Sequence, residues 1–435
     1  MKSSRELNFD TLVVGGGIGG LEAALNLADQ NFKVAIVEKD ATVGGKMIRL
    51  SKVFPTLDCA SCITTPKMAA AAHHENITIF TYCDLKSIHR KSEDVVIAAV
   101  TQKPRYVDAD KCIGCRQCEY ACPVYVPDEE QSNFALRKAI YIPFSTAIPQ
   151  LALLDVDNCS LCGKCAKVCP TDAVDYFQQS EEFVIHAKTV ILASGFKLTP
   201  IDQKPEYGEG KVENLITSMD MERLLAPNGP YQRVLRPSDG KEPDSIAYVQ
   251  CAGSRDKTLG VPYCSRVCCM YAIKQAMLLS GSLPLADITI YYMDIRAFGK
   301  GYEQFYQNAK AMGIEFVKGK IAKIEQTDNQ YVRLRYEDQE GSCGVIERDH
   351  DLVVMSLGMV PDWDPTDVCS VARDTDAFIK STMPQIAPTL TSISGVYAAG
   401  VATGPKDIVD TINEAGAAAM EASNYLIALG KKQAA

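Results

Sequence analysis

Twelve of the chain's seventeen cysteines fall into three groups, and the first two groups repeat one spacing. They read Cys112-x2-Cys115-x2-Cys118-x3-Cys122-Pro123 and Cys159-x2-Cys162-x2-Cys165-x3-Cys169-Pro170. Three closely spaced thiolates can cap three irons of one cubane while the fourth reaches a neighbouring cluster, which is the two-cluster ferredoxin arrangement. The spacing therefore assigns Cys112, Cys115, Cys118 and Cys169 to one [4Fe-4S] cluster, and Cys159, Cys162, Cys165 and Cys122 to its partner. Zinc ribbons also repeat Cys-x2-Cys, but eight cysteines in this register, each run closed by proline, point to iron and sulfide. The third group, Cys251-x12-Cys264-x3-Cys268-Cys269, fits no ferredoxin run. Lying between the strand SIAYVQ and the helix MYAIKQAMLL, these four could converge on one more cubane or be a set of buried or catalytic thiols. Spacing alone leaves both open.

A second chemistry begins at Gly15-x-Gly17-x-x-Gly20, which lies between a strand and a helix, with Glu38 at the end of the next strand. In a βαβ unit such glycines make a tight turn, let backbone approach a pyrophosphate and allow close helix packing, while the acid takes ribose hydroxyls. Lys39 follows that acid, and Gly44-Gly45-Lys46 looks like the glycine pair that flavoproteins place beside the pyrophosphate. The segments TVILASGF, ending at Ser194-Gly195-Phe196, and GVYAAGVATGPKDI, with Gly400, Lys406, Asp407 and Ile408, resemble the strand-to-glycine turns of flavoproteins with two dinucleotide domains. FAD is thus preferred to NAD. One departure is Val401, where many such proteins carry an aspartate for the ribityl chain. A helix expected over 411–427 would aim its positive N-terminus at the flavin.

These residues need an α/β scaffold of two dinucleotide-binding domains with an inserted two-cluster ferredoxin domain. The expected division is an FAD-binding domain from 1–105, 181–225 and 385–435, the ferredoxin insert over 106–180, and a second dinucleotide-like domain over 226–384. The insert's linker, RKAIYIPFSTAIPQ, reads as ordered loop more than helix because of its prolines. In the second domain the expected nucleotide loop has become Cys251-Ala252-Gly253-Ser254-Arg255-Asp256, with a single glycine, so a cradle for a second pyrophosphate is lost. A length of 435 residues suits two or three domains. A net charge of −9 with no Lys/Arg block argues against nucleic acid. No run of about 18 apolar residues offers a membrane span, and MKSSRELNFD enters a strand instead of a signal segment. The expectation is a cytoplasmic protein. Cys83, Cys343 and Cys369 are isolated and read as packing.

The runs YCSRVCCMYAIKQA, FPTLDCASCITTPKM (54–68), RKAIYIPFSTAIP (137–149) and GPKDI (404–408) together resemble the A subunit of heterodisulfide reductase, in order and over essentially the whole chain. The resemblance implies a thioredoxin-reductase-like FAD unit and a third [4Fe-4S] cluster on Cys251, Cys264, Cys268 and Cys269. It also implies that Lys274 is the catalytic-site lysine near flavin N5. The implied partners are B- and C-like subunits, ferredoxin and an electron-donor module linked to hydrogenase, NADH or formate, around a homodimer. The implied mechanism is flavin-based electron bifurcation. Relative to long family members, an N-terminal cluster domain and a C-terminal ferredoxin domain are missing. Cys62 of Cys59-x2-Cys62 matches the cysteine that completes the N-terminal domain's cluster; a partner-completed cluster, a redox dithiol and an inert pair stay open. Three rivals stand beside this reading. A glutamate-synthase-type small subunit would need the lost NADPH loop, a stand-alone flavin disulfide reductase would use Cys59 and Cys62, and the A subunit of a quinone-linked membrane oxidoreductase would meet the membrane through another chain.

Overall fold

The computed structural model describes residues 5–200, 202–208, 210–339 and 344–434. The nucleotide motif sits on a five-stranded parallel sheet in the order Val396–Ala398, Thr189–Leu192, Thr11–Val14, Val34–Val37, Ile77–Phe80. The strands TLVV, VAIV and TVIL are buried at every position, because layers cover both faces of a parallel sheet. On one face lie helix α1 (Ile18–Ala28), α2 (Ala60–His73) and, from the far end of the chain, the long C-terminal helix Ile408–Ala434. Leu21, Ala24 and Leu27 meet Ala415, Ala418 and Ala422 there, small residues that let the two helices approach closely. The other face is covered by a four-stranded sheet, Arg5–Asn8, Glu181–Ala187, Val96–Gln102 and Cys83–Arg90.

The insert leaves this unit after Gln102 and is built from two short helices, α3 (Gln117–Ala121) and α4 (Lys164–Val168), each carrying the third cysteine of its run. The linker forms short strands at Leu136–Lys138 and Ile140–Tyr141, so the prolines exclude helix as their geometry requires. The second unit repeats the layout of the first. Its parallel sheet runs Leu215–Thr217, Leu352–Leu357, Ser245–Ala252, Asp287–Tyr292, Glu315–Lys318. Helices α5 (Ser218–Leu225), α6 (Cys268–Ser282) and α7 (Tyr302–Ala311) pack on one side. Three antiparallel strands, Ile321–Gln326, Val332–Glu337 and Val345–His350, lie on the other.

Two domain limits differ from the expected ones. Leu215–Thr217 pairs with Leu352–Leu357 and Thr217 caps α5 through a reciprocal bond with Asp220, so the second unit starts about ten residues before 226. At the far end, Met359–Pro361 pairs antiparallel with Phe196–Leu198 and carries the chain back. After it, α8 (Thr366–Cys369) with Cys369, Val371 and Ile379 packs into the first unit's core, well before 385. The C-terminal helix is accordingly α9 (Ile408–Ala434). Cys83 and Cys369 are buried in that same core; Cys343 lies outside the described residues. Among the described residues no helix is long and apolar enough to cross a membrane.

Candidate functional site: a cavity between the two units and three cysteine groups

A cavity of about 800 Å³ opens where the two parallel sheets face each other. Its first wall is the loop before α1, with Gly15 and Gly17 on the lining. Gly20 is not on it: a side chain there would run into the carbonyl of Gly15, so this glycine seats the helix against the strand. Gly45 is the other position where only hydrogen suffices, since a Cβ would stand 2.9 Å from Gly17 Cα. The N-terminus of α1 thus faces open space through bare backbone, a cradle suited to a pyrophosphate.

Glu38 is held firmly at the strand end. The Gly16 N–H donates to its Oε2 at 2.6 Å and the Asp40 N–H to its Oε1 at 2.9 Å. Burial, with Asp40 close by, raises its carboxyl to about 7. Lys39 lines the cavity but is paired with Asp362 of the returning segment, 2.5 Å away. Lys46 lies over the Phe196 ring at 5.3 Å, and burial draws its ammonium below the ordinary lysine value. Ser194 and Gly195 continue the wall, and Gly400 and Val401 face them. Beyond, Lys406 donates to Thr403 Oγ1 at 2.6 Å and pairs with Glu414 at 3.3 Å, while Asp407 caps α9 by accepting from the Asp410 N–H at 2.8 Å. Lys406, Asp407 and Ile408 all line the cavity, so a second helix N-terminus points into it.

The second unit contributes α5 and α6. Val267, Tyr271, Lys274 and Gln275 present one helical face of α6. Lys274, 2 % exposed, does not stand free in the cavity: it donates to Lys52 O at 2.7 Å and is ion-paired with Glu222. Glu222 also accepts from Gln275 Nε2 at 2.5 Å and from the Ser51 N–H and hydroxyl at 2.9 and 2.7 Å. Burial opposes its charge, but Lys274, Gln275 and Ser51 together hold the carboxyl below the usual glutamate range. Burial pulls Lys274 below the usual lysine value, against the pull of Glu222. The residues present fit a dinucleotide with a flat ring. Backbone and Glu38 form the nucleotide end, and a buried cation-carboxylate pair stands at the other.

The structure brings Cys112, Cys115, Cys118 and Cys169 together as lining of one small cavity of about 20 Å³ in the insert. Cys122, Cys159 and Cys165 belong to the same core, with Cys162 exposed at its edge. The Ala173 N–H donates to Cys169 Sγ and the Leu161 N–H to Cys159 Sγ, each at 3.3 Å, the backbone donation that iron-sulfur thiolates use. In the third group Cys268 and Cys269 are buried at the start of α6, and Arg266 N–H donates to Cys264 Sγ at 3.3 Å. Cys251, Cys264, Cys268 and Cys269 lie near enough for their thiols to raise one another's pKa, with burial the larger cause; Cys269 is pushed up to about 12. Among the described residues, no three His, Cys, Asp or Glu side chains close on a single metal ion. The strand-end turn carries no open phosphate cradle: Gly253 packs on Thr199, and Lys204 pairs with Asp256 at 2.6 Å to pin the loop.

Residues 111–174 match the 4Fe-4S dicluster domain family, and residues 13–59 match the NAD(P)-binding Rossmann-like domain. The A subunit of the H(2)/formate:CoB-CoM heterodisulfide,ferredoxin reductase of Methanococcus maripaludis is 45% identical over 422 residues, covering 95% of this chain and 64% of the relative. The second of two iron-sulfur A subunits of CoB--CoM heterodisulfide reductase in Methanopyrus kandleri is 45% identical over 96% of this chain and 64% of the relative. The chain belongs to the A-subunit family of heterodisulfide reductase. It spans about 64% of the length of these relatives. Among solved structures, thioredoxin reductase of T. acidophilum aligns with a TM-score of 0.54 at 16% identity, covering 97% of this chain and 99% of that one. The Lactococcus lactis enzyme aligns at 0.53 and 13% identity, covering 96% and 99%. These likenesses give the fold: α/β, two dinucleotide-binding units of thioredoxin-reductase type, with a ferredoxin domain inserted.

In this member of the heterodisulfide reductase family Cys59 caps α2 and accepts from the Cys62 N–H at 3.3 Å, and the two thiols lie side by side. A hydrogen bond from Cys62 draws the Cys59 thiol down, and Cys62 is raised by the same contact. Neither lines the cavity. Sequence reasoning missed Glu222, Ser51 and Gln275. An acid inside SMDMERLL looks like a solvated helix position, and only its place one residue after the buried Met221 hinted otherwise. It also missed the latch that fixes the insert. Arg49 makes two 2.8 Å bonds to Glu130, and Arg223, beside Glu222, reaches both Gln131 Oε1 at 3.0 Å and Arg49 O at 3.0 Å.

Proposed function

We propose that the chain is the FAD- and iron-sulfur-carrying electron-transfer component of a heterodisulfide-reductase-type oxidoreductase in the cytoplasm. The observation that carries this is the cavity into which five separate stretches of chain deliver a nucleotide cradle, two helix N-termini and the Lys274–Glu222 pair, with the third cysteine group directly behind α6. When bound, FAD exchanges electrons in pairs or singly, and each cubane carries one electron at a time. Gly15, Gly17 and Gly45 admit the pyrophosphate, and Glu38 takes the ribose hydroxyls. Lys46, Ser194, Gly195, Gly400 and Lys406 enclose the dinucleotide, and the α9 N-terminus favours negative charge at the ring's far edge. Lys274 supplies a cation beside the ring, and Glu222 fixes where that cation stands and whether it keeps its proton. Twelve cysteines hold three cubanes: Cys112, Cys115, Cys118 and Cys169; Cys159, Cys162, Cys165 and Cys122; Cys251, Cys264, Cys268 and Cys269.

The relatives' names support partners resembling B and C subunits, ferredoxin and a hydrogen- or formate-linked donor around a homodimer. In that setting the flavin divides electrons between ferredoxin and a disulfide-reducing partner. Cys59 and Cys62 lie off the cavity, which favours a partner-facing role for them over a flavin-linked dithiol. The test is cofactor content of the anaerobically prepared chain: one FAD and about twelve irons are expected. About eight irons with the region 251–269 intact would remove the third cluster from this reading.

A further inference from the structure

The partition between the flavin-type cavity and the third cysteine group is one residue thick. Tyr271 and Leu357 both line the cavity, and on its far side the Cys268 thiol lies 3.6 Å from the carbonyl oxygen of Leu357. The Tyr271 hydroxyl donates to that same oxygen at 2.9 Å. Two donors therefore converge on one carbonyl, and the phenol stands within reach of the cysteine sulfur itself.

Binding iron changes this balance. A ligating cysteine has lost its proton, so Cys268 can no longer donate to Leu357 and becomes an acceptor beside the phenol. A tyrosine has one proton to donate, and a hydrogen bond to an anionic acceptor is about twice as strong as one to a neutral carbonyl. The surroundings allow the turn. Ser218 and Ser356 face the phenol oxygen, and Ser356, fully buried, has a hydroxyl without a hydrogen bond of ordinary geometry. It can donate to the phenol oxygen once the phenol proton points to sulfur. Burial keeps the phenol in its protonated, donating form.

Resting on the third-cluster reading above, we propose that Tyr271 is the residue that couples the flavin cavity to that cluster: its ring closes the cavity wall, and its hydroxyl donates to the Cys268 thiolate. Such a donor stabilises the more electron-rich state and raises the cluster's potential. Ser356 relays a second hydrogen bond behind it.

The test uses the full chain, loaded anaerobically with FAD, iron and sulfide, and followed by EPR-monitored redox titration. The third cluster's signal is the one that Cys268→Ala removes. In Tyr271→Phe, FAD and iron content are expected to stay at wild-type levels and the two ferredoxin signals to keep their midpoints. The third signal is expected to shift about tenfold toward the oxidised form, which is about 59 mV for a one-electron couple. An unmoved midpoint overturns the assignment. If Tyr271→Phe loses iron, the wild-type chain decides: after exchange into D₂O, ENDOR of the third signal must show an exchangeable proton coupled to it, and its absence overturns the assignment equally. A preparation with no Cys268-dependent signal brings down the third-cluster reading itself, an outcome distinct from a cluster that ignores Tyr271.

Discussion

If Glu38 is the ribose-binding acid, FAD affinity for the FAD-free protein must depend on pH in a defined way. In the FAD-free structure burial raises the Glu38 carboxyl to about 7 from an ordinary value of 4.5. Ribose hydroxyls donating to the carboxylate favour its ionised form and return it toward the ordinary value. That gap corresponds to about 3 kcal/mol at about 1.4 kcal/mol per pH unit. Binding then takes no proton above pH 7 and must expel one below it, so affinity rises about tenfold per pH unit between about 5 and 7 and is flat above. For the FAD-free protein the sign reverses. A raised folded pKa gives stability that is full below 4.5 and is lost as pH rises through about 7. The assay is fluorescence titration of FAD into FAD-free protein from pH 5.5 to 8.5, with Glu38→Gln alongside. The variant should bind weakly and without the slope, because a neutral amide has no proton to lose. Equal affinity of the wild type at pH 5.5 and 7.5, or an unchanged slope in Glu38→Gln, would refute the reasoning.

Three further outcomes follow from the same geometry. Lys274→Ala leaves Glu222 buried without its cation and should cost about 3–5 kcal/mol, read as a lower thermal midpoint of the FAD-loaded protein; Lys274→Met with Glu222→Gln should recover most of it, and a single variant as stable as wild type would contradict the pairing. Gly20→Ala should abolish FAD binding while iron content persists, because the added methyl collides with the Gly15 carbonyl; a yellow, FAD-replete variant counts against that packing. The isolated chain should show no saturable micromolar binding of NADPH or NADH by calorimetry, since Gly253 is packed on Thr199 and the turn is held by Lys204–Asp256.

Local features with their own spacing were legible in the sequence. The glycine loop, Glu38 and the two ferredoxin runs each need a fixed local geometry, so their residues carry the signature in a few positions, and Cys112, Cys115, Cys118 and Cys169 do share one cavity. Glu222 was invisible because its role comes from Ser51 and Lys274, 171 and 52 residues away along the chain. The unit limits slipped for a related reason. Leu215–Thr217 is too short to declare its partner strand, and the return through Met359–Pro361 is fixed by pairing with Phe196–Leu198, not by any break in composition. Lys274 was found only by resemblance; as a helix lysine its pattern says solvent, and the structure puts it among the most buried side chains.

The Arg49–Glu130 and Arg223–Gln131 contacts have a mechanical consequence. Arg49 belongs to the first dinucleotide unit, Arg223 to the second, and Glu130 and Gln131 to adjacent positions of the insert. The insert therefore acts as a splint across the joint. A hinge between the two units would have to tear charged, half-buried contacts on both sides at once and drag α5, with Glu222, away from Ser51 and the Lys52 carbonyl. The electron path from cavity to insert then keeps a fixed length while substrates and partners come and go, and the place for motion in the assembly is outside this chain's central joint, at the surfaces where other proteins dock.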